Sequence, residues 1–110
     1  MERFIKGDIV VIPFPFSDLS QSKKRPALVI ASLDGEDIIL AQITSKNKYD
    51  AYAIEITGKD FIEGGLKVSS NVRANKLFTA SKGLILYKVG RINQEKIEEV
   101  INKIIEIIKL

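Results

Sequence analysis

A mainly β fold finished by one C-terminal helix is predicted by three features of the sequence. Short runs of β-branched and aliphatic residues recur between Ile9 and Ile92 without a helical period, Gly, Asp, Ser and Pro interrupt them, and from Gln94 onward the apolar spacing becomes that of one helical face. The chain has 110 residues, 45% hydrophobic and 28% charged. These values predict a single globular domain over residues 1–110, with six or seven short strands around a core of its own.

Gly7-Asp8 opens the first run, Ile9 to Ile12, which reads as a buried strand. A second strand follows at Pro26 to Ala31. Between them, Pro13 to Arg25 holds two prolines and three serines and reads as a long irregular loop. Asp34-Gly35, set between that strand and the run Asp37 to Thr44, is a hairpin signal. Ser45 to Asp50 is polar and loop-like. Tyr52 to Thr57 alternates and predicts a half-buried strand with Tyr52, Ile54 and Ile56, or their neighbours, on one face. Gly58, Gly64 and Gly65 bracket a turn region containing Phe61-Ile62, and two strand-like stretches follow, Val68 to Leu77 and Leu84 to Ile92. The closing element predicts an amphipathic helix with Ile97, Ile101, Ile104, Ile105 and Ile108 as its apolar stripe, Asn93 as N-cap and Ile92 stapled onto Ile97. Such a stripe must cover something apolar, most simply the open side of a small sheet or barrel.

Composition also limits the chemistry. With no Cys and no His, a disulfide framework, a zinc ribbon, a thiol nucleophile and every catalytic arrangement that needs imidazole are excluded. Lys+Arg 17 against Asp+Glu 14 gives a net charge of +3, which suits a polyanionic partner without requiring one. The start MERFIKGD places Lys6 and Asp8 before any long apolar segment, and the apolar stretch Ile9 to Phe16 is broken by Pro13 and Pro15. No signal peptide, no membrane span and a cytoplasmic location are therefore expected.

The stretch Gly7 to Ser32, GDIVVIPFPFSDLSQSKKRPALVIAS, resembles the opening of the MazF/PemK (Kid-like) toxin family. Gln42-Ile43-Thr44-Ser45, Ser70 to Phe78 and Lys88-Val89-Gly90-Arg91-Ile92 extend the resemblance over almost the whole chain. It implies a small SH3-like barrel of the CcdB/MazF type, a homodimer, and a metal-independent endoribonuclease toxin that cuts single-stranded RNA and is restrained by a cognate antitoxin protein. Two other readings of the scaffold stay open: a non-enzymatic toxin that binds DNA gyrase in the manner of CcdB, and a degenerate RNA-binding module.

Metal-free RNA cleavage uses the RNA's own 2'-hydroxyl as nucleophile, so the protein must supply a proton acceptor, a proton donor and positive groups around the phosphorane. The absence of His is tolerable for that chemistry. The resemblance makes Arg25, beside Pro26 at a strand lip, the first catalytic candidate; its planar guanidinium can clamp a phosphate through two bonds. Thr44 at a strand end is the second, and Arg73 the third. In the Kid-like pattern an acidic residue stands two positions after that arginine, but this sequence has Asn75, and an amide cannot accept a proton at neutral pH. Asp18 in the loop is a substitute candidate for the base, against the ordinary role of Asp as a turn former. Ser17, Lys23, Lys24, Ser45, Lys46, Asn75 and Lys76 are the candidate RNA contacts, with Lys48 adding to the same charge. Phe14, Phe16, Tyr49 and Phe78 are candidates for stacking on bases, with core packing the competing role for Phe14 and Phe78.

Overall fold

The computed structural model describes residues 3–14, 23–45 and 50–110. The element order is β1 (Asp8–Phe14), β2 (Lys23–Ser32), β3 (Asp37–Thr44), β4 (Ala53–Ile56), β5 (Phe61–Gly64), β6 (Ser70–Ser81), β7 (Tyr87–Ile92) and α1 (Gln94–Ile108). All seven strands join one antiparallel sheet in the order β4-β6-β3-β2-β1-β7-β5. The sheet curls into a half-barrel, with β4 and β5 as its edges.

The uninterrupted apolar runs of the sequence have a direct cause: the central strands are buried on both faces. Ile9, Leu28, Ala41, Ile43, Ile54, Ile56 and Val72 face α1, where Ile97, Val100 and Ile104 meet them. Their neighbours Val10, Ile12, Ala27, Val29, Ile38 and Leu40 build a second core on the other face, with Phe4, Phe78 and Ile85 packed against it. Alternation along each strand thus feeds two cores.

The helix begins as the sequence predicts, with the Asn93 side chain accepting from the Lys96 N–H at 2.8 Å. Its buried face is rotated from the expected stripe. Ile97, Val100 and Ile104 are buried and Ile101 and Ile107 partly so, whereas Ile105 is 44% and Ile108 72% exposed. At 100° per residue Val100 and Ile107 fall on one flank of Ile104, while Ile105 falls on the other, beyond the sheet. Gly7 fixes where the helix lies. Its φ is +97°, a conformation that favours glycine, and an added Cβ there would meet Ile97 Cδ1 at 2.3 Å, so Ile97 would have to shift.

Three other expectations change. The Phe61–Ile62 turn region is in fact edge strand β5, paired with β7. The expected loop Pro13–Arg25 is shorter, because Pro13 and Phe14 pair with Lys24 and Lys23. Pro13 is tolerated there because β1 pairs with β7 only as far as Val11, and Pro26 because β2 pairs with β3 only from Ala27, so each proline has a strand on one side alone. The strand expected over Val68–Leu77 runs from Ser70 to Ser81 and that over Leu84–Ile92 starts at Tyr87, after a 3-10 turn at Lys82–Leu84. The Asp34-Gly35 hairpin forms as expected, with Gly35 at φ +82°. Among the described residues no helix is long and apolar enough to cross a membrane.

Candidate functional site

The second core runs out toward one end of the half-barrel, and there the strand faces turn from apolar to cationic. Along β2 the face that carries Val29 and Ala27 continues through Arg25 and Lys23; along β3, Leu40 is followed on the same face by Gln42 and Thr44. The last β2–β3 pair is Ala27 with Gln42. Continued two residues further, that register sets Arg25 facing Thr44 where the pairing has ended. The gap becomes a groove of about 740 Å³ with Ile12, Phe14 and Phe78 at its apolar base. The Phe14 and Phe78 rings meet at a centroid distance of 5.8 Å.

Five cations line this groove: Lys23, Lys24, Arg25, Lys67 and Lys76. Thr44, Ser45, Gln42 and Ser70 add polar groups, and no carboxylate belongs to the described lining. None of the five cations makes an ion pair with a described carboxylate. Lys23, Lys24, Arg25, Lys67 and Lys76 are all exposed, as is Ser45, while Thr44 is half-buried. Ser70 is buried and its hydroxyl donates to the Val68 carbonyl at 3.0 Å, so it shapes the wall. A surface with several cations and hydroxyls and no acid is suited to a polyanion.

Of the residues singled out in the sequence, the structure brings Arg25, Thr44, Lys23, Lys24, Ser45 and Lys76 together around the groove. Ser17, Lys46, Lys48, Asp18, Phe16 and Tyr49 lie outside the described residues. Asn75 is exposed and out of step with Lys76 and Phe78, and it is not part of the lining. Arg73 is not in the lining either. Its side chain is 9% exposed and its Nη2 donates to Asp50 Oδ2 at 2.5 Å. Asp50 accepts as well from the Tyr52 N–H at 2.9 Å. That backbone bond and the Arg73 guanidinium hold the Asp50 carboxyl below its ordinary value.

Lys67 and Gln42 were not among the site candidates. Gln42 carried a signal, being a polar residue inside the buried run Ile38 to Ile43. Lys67 carried none, because it follows the Gly64-Gly65 turn and reaches the groove only through the path of the chain to β6. No three metal-ligating side chains gather among the described residues.

A curled antiparallel half-barrel of seven strands with one C-terminal helix is the MazF-type fold. MazF from Deinococcus radiodurans superimposes with a TM-score of 0.76 over 100% of both chains at 19% identity. The Mycobacterium tuberculosis toxin MazF-mt6 gives 0.74 at 17% identity, over 94% of this chain and 97% of its own. An endoribonuclease from a mycobacterial species, solved in complex with its cognate antitoxin, gives 0.74 at 10% identity, over 98% and 97%. No individually curated protein matches the chain in sequence. The family is settled by sequence over residues 5–108: the chain belongs to the PemK-like, MazF-like toxins of type II toxin-antitoxin systems.

Proposed function

We propose that this chain is a metal-independent, sequence-selective endoribonuclease that cuts single-stranded RNA in the cationic groove. The observation that carries this reading is the lining itself: five cations and the Thr44 hydroxyl around one cleft, with no described carboxylate to repel a phosphate backbone. The similarity to a mycobacterial endoribonuclease supports it. The 2'-oxygen attacks the adjacent phosphorus and the bond from phosphorus to the 5'-oxygen breaks, leaving a 2',3'-cyclic phosphate and a 5'-hydroxyl. The proton of the 2'-hydroxyl leaves to an acceptor and one proton reaches the departing 5'-oxygen, so the step balances without a co-reactant.

Arg25 is the residue assigned to the phosphorane. Its fork of donors matches two non-bridging oxygens, and a guanidinium, which donates and does not accept, is suited to clamp charge and not to act as base. Thr44 faces it and donates to the same phosphate. Lys23, Lys24, Lys67 and Lys76 hold the flanking phosphates, and Phe14 and Phe78 present ring surface to bases. A cognate antitoxin and a homodimer belong to the same proposal, on the strength of the family.

The deciding experiment is incubation of the purified protein with a long RNA in excess EDTA, followed by mapping of the fragment ends. Cyclic phosphate and 5'-hydroxyl ends, with DNA untouched, are expected. Activity that disappears with chelator and returns with magnesium overturns the chemistry. RNA bound but left intact makes the groove a binding module only.

A further inference from the structure

Strand β6 does something at its midpoint that the groove depends on. Ile43 pairs with Val72 and Ala41 with Leu77, so the single residue Gln42 on β3 is opposed by the four residues 73–76 on β6. The three extra residues make a bulge, and its two halves point differently. Val72 before it and Ala74 within its first half lie in the core beneath the helix; beyond it, Phe78 and Ala80 lie in the opposite core. The bulge therefore reverses which face the odd and even positions occupy, and it is what turns Lys76 into the groove. Bulges beside functional sites commonly re-aim a side chain in this way.

Two anchors hold the bulge. One is Ala74, 1% exposed, whose N–H donates to the Tyr52 carbonyl at 3.1 Å. The other is Arg73, which between Val72 and Ala74 points to the groove side of the sheet yet is engaged by Asp50. Asp50 also accepts from Tyr52 N–H through its side chain, and its carbonyl accepts from Ala53 N–H at 3.3 Å. The turn that starts β4 and the bulge that aims Lys76 are thus fastened to each other through one ion pair.

We infer that the Asp50–Arg73 pair is a latch that positions the β6 bulge and the groove wall carrying Lys76, and that Arg73 is a positioning residue that does not touch RNA. The inference rests on the nuclease reading of the groove. It departs from the role that the family resemblance implies for Arg73, and the two roles give opposite signs for one substitution. If Arg73 were a phosphate clamp held off by Asp50, Asp50→Asn would release it and speed cleavage. If the pair is a latch, the same change loosens the wall and slows it.

The test is a double-mutant cycle on Asp50→Asn and Arg73→Gln, read by single-turnover cleavage at saturating RNA. Each single variant is expected to lose ~10-fold in rate, as misplaced groups do, with the double variant no slower than either. Arg73→Lys, which keeps the ion pair, is expected to stay within ~3-fold of the parent, unlike a loss of the planar fork at a phosphate. Amide exchange at Ala74 is expected to rise in Asp50→Asn. A faster Asp50→Asn variant, multiplicative losses in the cycle, or Arg73→Lys as inactive as Arg73→Gln overturns the inference. The exchange measurement keeps its failure separate from that of the nuclease reading. A parent protein that cuts no RNA but shows the Ala74 change loses the nuclease reading and keeps the latch, whereas unchanged exchange in an active parent sinks the latch alone.

Discussion

The sheet carries basic side chains at two places, and they are treated in opposite ways. On β7, between β1 and β5, the two cations Lys88 and Arg91 each find a carboxylate. Asp8 is wholly buried; its Oδ1 accepts from Arg91 Nε at 2.8 Å with Lys88 Nζ at 3.8 Å, and its Oδ2 accepts from the Ile5 N–H at 2.9 Å. Lys88 in turn reaches Glu63 at 2.8 Å. At the groove, Lys23, Lys24, Arg25, Lys67 and Lys76 face a common cleft with no described acid among them. Matched charge in a buried network fixes a strand register. Charge of one sign gathered without a partner is kept for a ligand that brings the other sign.

The sharpest way to break that contrast is Arg25→Ala. Arg25 is exposed and pairs with no described carboxylate, so its removal should leave the melting temperature where it was. Cleavage should fall by ~100-fold or more, the usual consequence of losing one electrostatic donor to the transition state. Arg25→Lys should not restore it. Single-turnover rates alongside a thermal melt decide the matter; two active variants on a folded protein would make Arg25 a surface residue.

At the other region the expected effects exchange places. Asp8→Asn removes the buried partner of Arg91 and Lys88 and should lower the urea midpoint by more than any single groove substitution, while the cleavage rate of the still-folded fraction changes little. Acidification probes the same pairing. Lys88 holds the Glu63 carboxyl below its ordinary value, as the Tyr52 N–H and Arg73 hold that of Asp50. Both are folded-state depressions, so the stability they add is complete above the ordinary carboxylate range near ~4 and drains away as pH falls through the depressed values. Lys88 is raised, chiefly by its hydrogen bond to Glu63, so its share is lost only as pH climbs beyond its ordinary range near ~10.4. Urea midpoints should therefore be level from about pH 6 to 8 and fall below about pH 4.5, with a shallower acid slope in Glu63→Gln. An unchanged slope in that variant would show that the Glu63–Lys88 pair contributes nothing.

The sequence disclosed what local pattern controls. Ile9–Ile12 and Pro26–Ala31 read as buried strands because both faces of the half-barrel's centre are covered, Asp34-Gly35 as a hairpin because the turn needs a positive φ, and Asn93 as a cap because the first helical turn needs an acceptor. The family motifs brought Arg25 and Thr44 forward, and both line the groove where the β2–β3 pairing has ended. Long-range pairing hid the rest. β5 has four residues, mostly exposed, and exists because β7 lies beside it. Arg73 looked equivalent to Arg25 because nothing local reveals that Asp50, 23 positions earlier, takes its guanidinium. The bulge left no mark either, since Ala74-Asn75-Lys76 alternates like any strand.

That bulge decides the smallest predicted effect, Asn75→Asp. A carboxylate at this position is what the Kid-like pattern would ask for, and a slow enzyme lacking its base should gain from it. In the folded chain Asn75 is exposed and is not part of the groove lining. A new charge there is screened by solvent ions over ~8–10 Å at physiological salt, and no described lining residue depends on it. The cleavage rate at saturating RNA should stay within ~2-fold, while RNA affinity weakens slightly because one negative charge joins a surface that binds phosphates. A clear gain in the single-turnover rate would instead mean that position 75 reaches the scissile phosphate when RNA is bound. The bulge would then have to rearrange on binding, and the paired and unpaired regions of the sheet would differ in mobility as well as in charge.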